Sequence, residues 1–296
     1  LFDVFLILNN RIGQNIDLAF AVNSLILAQK IKIGFDKSCR KNKGMNSIVI
    51  NVGNSNIRFG LFNDDNCDIS WVINTKPYRT SDELQMQFMM MYQTHKIEAE
   101  KIDKVIIGSV VPQLTREITS AIRKIHGMMP IIVDRSTASG VQAKSKQMGT
   151  DIYANLVAAH NLYPEKKKIV LDFGTALTAS CVAESGECLG VIIAPGIVTA
   201  LNSLISQTAQ LPEIELKKPK SVLGLDTVTC MQSGMVYGFL GMVEGFIDRI
   251  NDEVNDNCFV IATGGVSHVY KPLTEKIHLA DRLHTLKGLY FLGKDL

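Results

Sequence analysis

The chain has 296 residues, 46% of them hydrophobic and 20% charged, which is enough apolar material for a sizeable core in one large domain or two ordinary ones. A net charge of +2, with no basic run interleaved with aromatics, gives no handle for nucleic acid. The six cysteines are scattered without C-x-x-C or Cys/His zinc spacing, the pattern of reduced thiols in a cytoplasmic protein; Cys181 and Cys188 are the pair that a hairpin could bring face to face.

The chain opens on "LFDVFLILNN", an apolar stretch broken by Asp3, Asn9 and Asn10, with Arg11 after it rather than before it. That charge order is wrong for a signal peptide. A basic, polar link, "FDKSCRKNKG", leads to Met45. Two readings stand: a natural start at Met45 with residues 1–44 as an upstream extension, or a true N-terminal arm or anchor. "IVINVG" and "NIRFGLF" then form a hairpin around a glycine tip. The stretch from Tyr78 to Lys96 reads as a helix with a start signal at Ser81, and its Met86, Met89, Met90 and Met91 read as core filler. "KVIIGSVVP" is a buried strand with a proline stop. "QLTREITSAIRKIHG" is an amphipathic helix with Leu114, Ile118, Ile122 and Ile125 near one face, and "MPIIVD" is another strand. In "MGTDIYANLVAAHNLYP", Thr150 or Asp151 caps a helix whose apolar side holds Leu156, Val157 and Leu162. A second hairpin, "IVLDFGTALTASCV", precedes a strand, a Pro-Gly turn and a helix. Asp226 to Ile250 is a long helix with Gly234, Gly238, Gly241 and Gly245 along one stripe. Glycine costs about 1 kcal/mol per helix position, so the stripe asks for close packing, inside the domain or against another chain. Interrupting Gln232, Glu244 and Asp248 argue against a membrane span. "FVIATGGVSHVY" is a strand running into a third glycine turn. Hairpin followed by alternating helix and strand, twice, indicates an α/β layer fold.

Neither a Walker loop nor G-x-G-x-x-G is present, nor a nucleophile elbow or H-E-x-x-H. What remains is three glycine turns at strand ends: "NVGNS", "DFGTA" and "ATGGV". Such turns let backbone N–H groups approach phosphate oxygens, and an acid beside one can hold a cation. A single glycine hairpin is ordinarily just a turn. Two alike, each opening an α/β unit, are the pattern of two related domains facing a nucleotide cleft. The second tip carries Asp172 where the first carries the amide Asn51.

Those turns, in order, resemble the superfamily of actin, heat-shock ATPases and sugar kinases. With "NVGNSNIRFGLF", "IGSVVP", "GTD", "DFGTALT", "IAPGI", "QLP", "LGLDT", "ATGG" and "LKGL" also in order, the chain from Met45 to the C-terminus resembles the type III pantothenate kinases. The resemblance implies two actin-like (ribonuclease H-like) domains, residues 45–164 and 165–296, with the nucleotide cleft between them. It implies ATP-dependent phosphorylation of pantothenate to 4'-phosphopantothenate, the first step of coenzyme A biosynthesis. ATP phosphates would lie on Asn51, Val52, Gly53, Asn54, Ser55, Asn56, Ile57 and Arg58, with Thr175 facing them. Asp172 would help bind a monovalent cation, potassium or ammonium, with magnesium arriving on ATP. Asp151 would be the general base, although by position alone it is a helix cap. Gly149, Thr150, Asp151, Ile152 and Thr227 would line the pantothenate pocket, Thr227 reading equally as a cap. The family works as a homodimer with pockets near the interface, and needs neither nucleic acid nor membrane.

Four positions depart from the family pattern. Asn51 replaces an Asp, Ile152 replaces an Arg that follows the base, Gln142 stands about where an aromatic is usual, and Val191 stands for a glycine. Lys144 or Lys146 is the candidate to restore the lost cation. A second reading follows from these departures: a catalytically impaired relative that binds nucleotide as a regulatory accessory protein. Retention of Asp151 and Asp172 favours catalysis.

Overall fold

Strand β1 (Asn46–Val52) is apolar at nearly every position because it is central to a sheet covered on both faces. Ile48, Ile50 and Val52 point one way and Val49 the other, into two different cores. The computed structural model describes residues 45–296 apart from Lys144 and Lys146; the readings made for residues 1–44 and for those two lysines lie outside the described residues. β1 pairs antiparallel with β2 (Asn56–Asn63), which pairs antiparallel with β3 (Asn66–Asn74). Helix α1 (Ser81–His95) leads to β4 (Lys104–Ser109), parallel to β1, and α2 (Pro112–His126) leads to β5 (Ile131–Val133), parallel to β4. The sheet order is β3-β2-β1-β4-β5.

The second half repeats the pattern. After α3 (Thr150–Leu162), β6 (Lys168–Phe173) takes the central place, antiparallel to β7 (Ala176–Val182), which carries β8 (Cys188–Pro195) on its far side. Helices α4 (Ile197–Ser206) and α5 (Thr227–Val254) precede β9 (Phe259–Gly264), parallel to β6. The short α6 (Ser267–Tyr270) and β10 (Leu279–Ala280), parallel to β9, complete a sheet ordered β8-β7-β6-β9-β10. The identical strand order and direction in the two sheets is the actin-like arrangement expected from the hairpin repeat.

Three cores hold these layers. Sheet one packs on α1 and α2 through Phe59, Leu84, Phe88, Leu114 and Ile118, with Phe59 stacked on Trp71 at 5.2 Å. Sheet two packs on α5 through Ile169, Leu171, Phe239, Val243 and Ile247. Between the sheets lie α3 and the C-terminal helix α7 (His284–Gly293), sharing a core with Val49 and Ile106 of one sheet and Val170 and Ile261 of the other. Although α7 follows sheet two in sequence, it returns to pack against β1 and β4. Gly288 lets α7 lie directly against α3, because any side chain there would overlap the Ala154 carbonyl.

Several local expectations need correction. Met86, Met89 and Met90 are 71%, 56% and 65% exposed, because the buried stripe of α1 is Leu84, Phe88 and Tyr92. Thr80, not Ser81, caps α1, in a capping box with Glu83. Gly149 occupies the N-cap of α3, so neither Thr150 nor Asp151 caps it, and Leu162 is exposed. Cys181 lies opposite Gly190, while Cys188 lies opposite Val182, and the two thiols belong to different cores. On α5, a side chain at Gly234, Gly238 or Gly241 would meet nothing within 4 Å, so the stripe is open rather than packed inside the described residues. No helix among the described residues is long and apolar enough to cross a membrane.

Candidate active site

Both hairpin tips open onto one cleft of about 370 Å³. The β1–β2 turn contributes Asn51, Gly53, Asn54, Ser55, Asn56 and Arg58, and the β6–β7 turn contributes Asp172, Gly174 and Thr175. Strand alternation turns Val52 and Ile57 away, into the core behind the turn. The tips touch: Ser55 Oγ and Thr175 Oγ1 are 2.6 Å apart. Each is braced from behind. Thr75 Oγ1 donates to the Gly53 carbonyl at 2.7 Å, and its N–H donates to the Ser55 carbonyl at 2.9 Å. Thr199 Oγ1 and the Gly196 N–H donate to the Thr175 carbonyl at 2.7 and 3.1 Å. The third turn brings Gly264 and Gly265 to the wall; Gly264 has φ +92° and lies against the Phe173 backbone, where only glycine fits.

Asp172 sits in register between Thr178 on β7 and Thr263 on β9, and all three line the cleft. Asn155, one helical turn beyond Asp151 on α3, donates from Nδ2 to Asp172 Oδ2 at 3.0 Å. Its Oδ1 accepts from Thr285 Oγ1 at 2.8 Å, and its carbonyl faces His284 Nε2 at 3.1 Å. Burial, with the nearby Asp151 charge adding to it, pushes the Asp172 carboxyl up to about 6 against the opposing pull of Asn155, Arg58 and His284. Thr263 Oγ1 is buried without a hydrogen-bond partner among the described residues. Asp172, Thr178 and Thr263 offer oxygen alone, the donor class of a hard cation, and one of those oxygens is still to be satisfied. No cluster of three or more His, Cys, Asp or Glu that could hold a metal occurs among the described residues.

Asp151 reaches the same cleft from the first turn of α3, its Oδ1 accepting the Ile152 N–H at 2.8 Å. Its neighbours do not join it. Gly149 caps the helix, Thr150 is buried, and Ile152 packs against the inter-sheet core. Thr227 is exposed at the start of α5 and is not among the lining residues. Arg58 Nη1 donates to the Arg282 carbonyl at 2.6 Å. Burial, then the Arg282 charge, holds the Arg58 guanidinium below its ordinary value, with Asp172 pulling the other way.

Chain pattern alone does not reveal Arg282, Asn155, Thr199, Asn202 or Thr285. Asn155 carried one signal, its spacing of four from Asp151 on a helix. Arg282 carried none, because only the return of α7 across the molecule brings it to the cleft.

The family model for type III pantothenate kinase matches residues 47–249. The type III pantothenate kinase of Finegoldia magna is 38% identical over 252 residues, covering 83% of this chain and 96% of that protein. The enzymes of the same description from Syntrophus aciditrophicus and Moorella thermoacetica are 37% and 36% identical over 83% and 82% of this chain, and 98% and 96% of their own lengths. The chain belongs to the type III pantothenate kinase family.

Within that family pattern, the departures divide by location. Asn51 is the one that lines the cleft. Ile152 is partly buried against the inter-sheet core, Val191 lies in β8 packed against the same core, and Gln142 forms an isolated strand-like bridge with Glu187.

Proposed function

We propose that this cleft transfers the terminal phosphoryl group of ATP to the primary hydroxyl of pantothenate, with Asp151 as the general base. The chain is a pantothenate kinase acting at the first step of coenzyme A biosynthesis. The observation that supports the assignment of roles is the convergence of Asp151, Asp172 and both glycine tips on one cavity. Phosphoryl transfer to an alcohol asks mainly for positioning and neutralisation of charge. The turn from Gly53 to Arg58 and the facing Thr175 would grip the phosphates. Asp151 would accept the hydroxyl proton at a carboxylate oxygen as the new O–P bond forms. The Asn155 amide stabilises the ionised form of Asp172 and leaves its other oxygen for the cleft.

Asp172, Thr178 and Thr263 would hold a monovalent cation, potassium or ammonium, beside the magnesium that accompanies ATP. When bound, that cation supplies positive charge to the phosphate oxygens. The chain would act as a homodimer. The open stripe of Gly234, Gly238 and Gly241 lies on the helix that begins beside the exposed Leu223, Leu225 and Val228. Thr227 is not among the residues that line the cleft, and a second copy of the chain would be one way to bring it to the acceptor. Sedimentation showing monomer alone at micromolar concentration would remove this part.

The test is ATP-dependent phosphorylation of pantothenate by the wild-type chain and by Asp151→Asn, with magnesium and potassium present. Loss of the base is expected to lower kcat by about 100- to 10,000-fold while ATP still binds. A wild-type rate no higher than that of Asp151→Asn would overturn the assignment. ATP binding without any transfer would favour the accessory reading.

A further inference from the structure

Four charged side chains line the cleft: Asp151, Asp172, Arg58 and Arg282. The two carboxylates have roles in the mechanism above. The two guanidiniums come from opposite ends of the chain, Arg58 from β2 and Arg282 from the link between β10 and α7. They are joined through a backbone group rather than through their charges. Arg58 Nη1 donates to the Arg282 carbonyl at 2.6 Å, which leaves the Arg282 guanidinium without a hydrogen-bonded or ion-paired partner among the described residues.

The ordinary explanation for a surface arginine is an ion pair with a neighbouring acid. The adjacent acid is already occupied: Asp281 accepts from Lys287 Nζ at 2.7 Å and from the Leu283 N–H at 3.0 Å. Asp172 takes the Asn155 amide, and Asp151 takes the Ile152 N–H. The backbone that carries Arg282 is fixed on both sides, by Asp281 before it and by the His284 and Thr285 bonds to Asn155 after it. A cation presented on a pinned backbone, beside a second cation, in a cleft whose acids form no ion pair with it among the described residues, is arranged to receive an anion. Two guanidinium forks can grip one phosphate or carboxylate in a fixed plane, whereas without that anion they repel each other. The lowering of the Arg58 proton affinity by Arg282 is that repulsion.

We infer that Arg58 and Arg282 form a two-guanidinium clamp for a substrate oxyanion, with Arg282 supplying the charge that Ile152 does not. This rests on the kinase reading for the identity of the anion, which is either a phosphoryl oxygen of ATP or the carboxylate of pantothenate. Arg282 is then a binding residue that the family pattern does not assign.

The test uses the full chain with Arg282→Gln and Arg282→Lys. The Arg282 side chain is exposed, and only its backbone holds Arg58, so neither change removes the 2.6 Å bond. Calorimetry gives the ATP affinity, and initial rates give KM for pantothenate and kcat. If the clamp takes a phosphoryl group, Arg282→Gln weakens ATP binding by about tenfold, with KM for pantothenate unchanged. If it takes the carboxylate, KM for pantothenate rises by about tenfold and ATP affinity stays. Arg282→Lys recovers part of whichever loss occurs, and the melting temperature does not move. ATP affinity and KM both within about twofold of wild type would overturn the clamp. Should the wild type bind ATP yet phosphorylate nothing, the kinase reading fails while the ATP arm still decides the clamp.

Discussion

The two hairpin tips occupy equivalent places in equivalent sheets, yet their surroundings are built differently. The tip of β6–β7 ends on Asp172, which is tied through Asn155 to α3 and through Thr285 and His284 to α7. The tip of β1–β2 ends on Asn51 and is braced at its backbone by Thr75 and by the Val110 N–H on the Val52 carbonyl. A buried carboxylate needs donors close by, or it costs free energy and takes up a proton. The second tip has such a donor because the preceding helix α3 supplies Asn155 and α7 returns from distant sequence to hold Asn155 in place. The first tip borders the cleft with a neutral amide. Topology therefore repeats the shape of the site, while tertiary packing decides which copy can carry charge.

The largest test of this contrast moves the amide to the second tip. Asp172→Asn leaves the shape of the site intact and removes its anchored charge. Turnover is expected to fall on the order of 100-fold, and potassium should no longer stimulate it. ATP titration by calorimetry with and without potassium gives an independent readout. Wild-type cation dependence in Asp172→Asn would show that the two tips are chemically interchangeable.

Next in size is the strap that anchors the second tip. Burial pushes the Asp281 carboxyl up, but His284, the Lys287 ammonium at 2.7 Å and the Leu283 N–H outweigh it, so its proton affinity ends well below the ordinary value. A folded-state value below the unfolded 3.8 means that the stability is present above pH 3.8 and drains away as pH falls toward the folded value. Asp281→Asn should therefore lower the unfolding free energy by about 1–3 kcal/mol at pH 7, with a shrinking difference below that range. Urea melts of both proteins at neutral and acidic pH measure it. An equal deficit at both would mean that the strap is held by shape rather than charge.

Adding a charge to the first tip is the converse experiment. Asn51→Asp is expected to lower the magnesium requirement by a few-fold, if an acid there can meet the metal that arrives with ATP. The gain is smaller than the loss at Asp172 because no helix donates to this position. An unchanged magnesium dependence would place the metal away from the first tip.

The legible part of this molecule is the part encoded locally. Apolar runs broken by "NVGNS" and "DFGTA" announce both hairpins, and the repeated order of elements follows from them. Asp151 and Asp172 could be picked out because each sits at a turn that the family pattern names. Of the α1 methionines only Met91 packs against the core; Met86, Met89 and Met90 are exposed because Leu84, Phe88 and Tyr92 recur every four residues and those three fall between them. The α5 glycines ask for a close neighbour, and the described residues provide none at Gly234, Gly238 or Gly241. Arg282 and the Asn155 network were out of reach for one shared reason. They depend on α7 crossing back between the sheets, a contact between segments over a hundred residues apart, as the His284–Asn155 separation of 129 shows.

The smallest expected effect lies where the two tips meet. Ser55 and Thr175 share one hydrogen bond at 2.6 Å, in an exposed position where water competes for both hydroxyls. Such a bond contributes about 0.5–1.5 kcal/mol at most, so Ser55→Ala should change the ATP affinity by roughly two- to tenfold and leave the fold intact. The direction separates two roles. If the bond mainly holds the tips closed against each other, its removal frees both turns and ATP binds more tightly. If both hydroxyls turn to the phosphates when ATP enters, Ser55→Ala removes a donor and binding weakens. The second outcome is expected, because Ser55 and Thr175 both line the cleft and each backbone is already braced from behind without that bond. Thr175→Ala should then weaken binding by a similar factor. A double variant whose loss is smaller than the sum of the two single losses would show that the tips act as one clamp rather than as two independent turns.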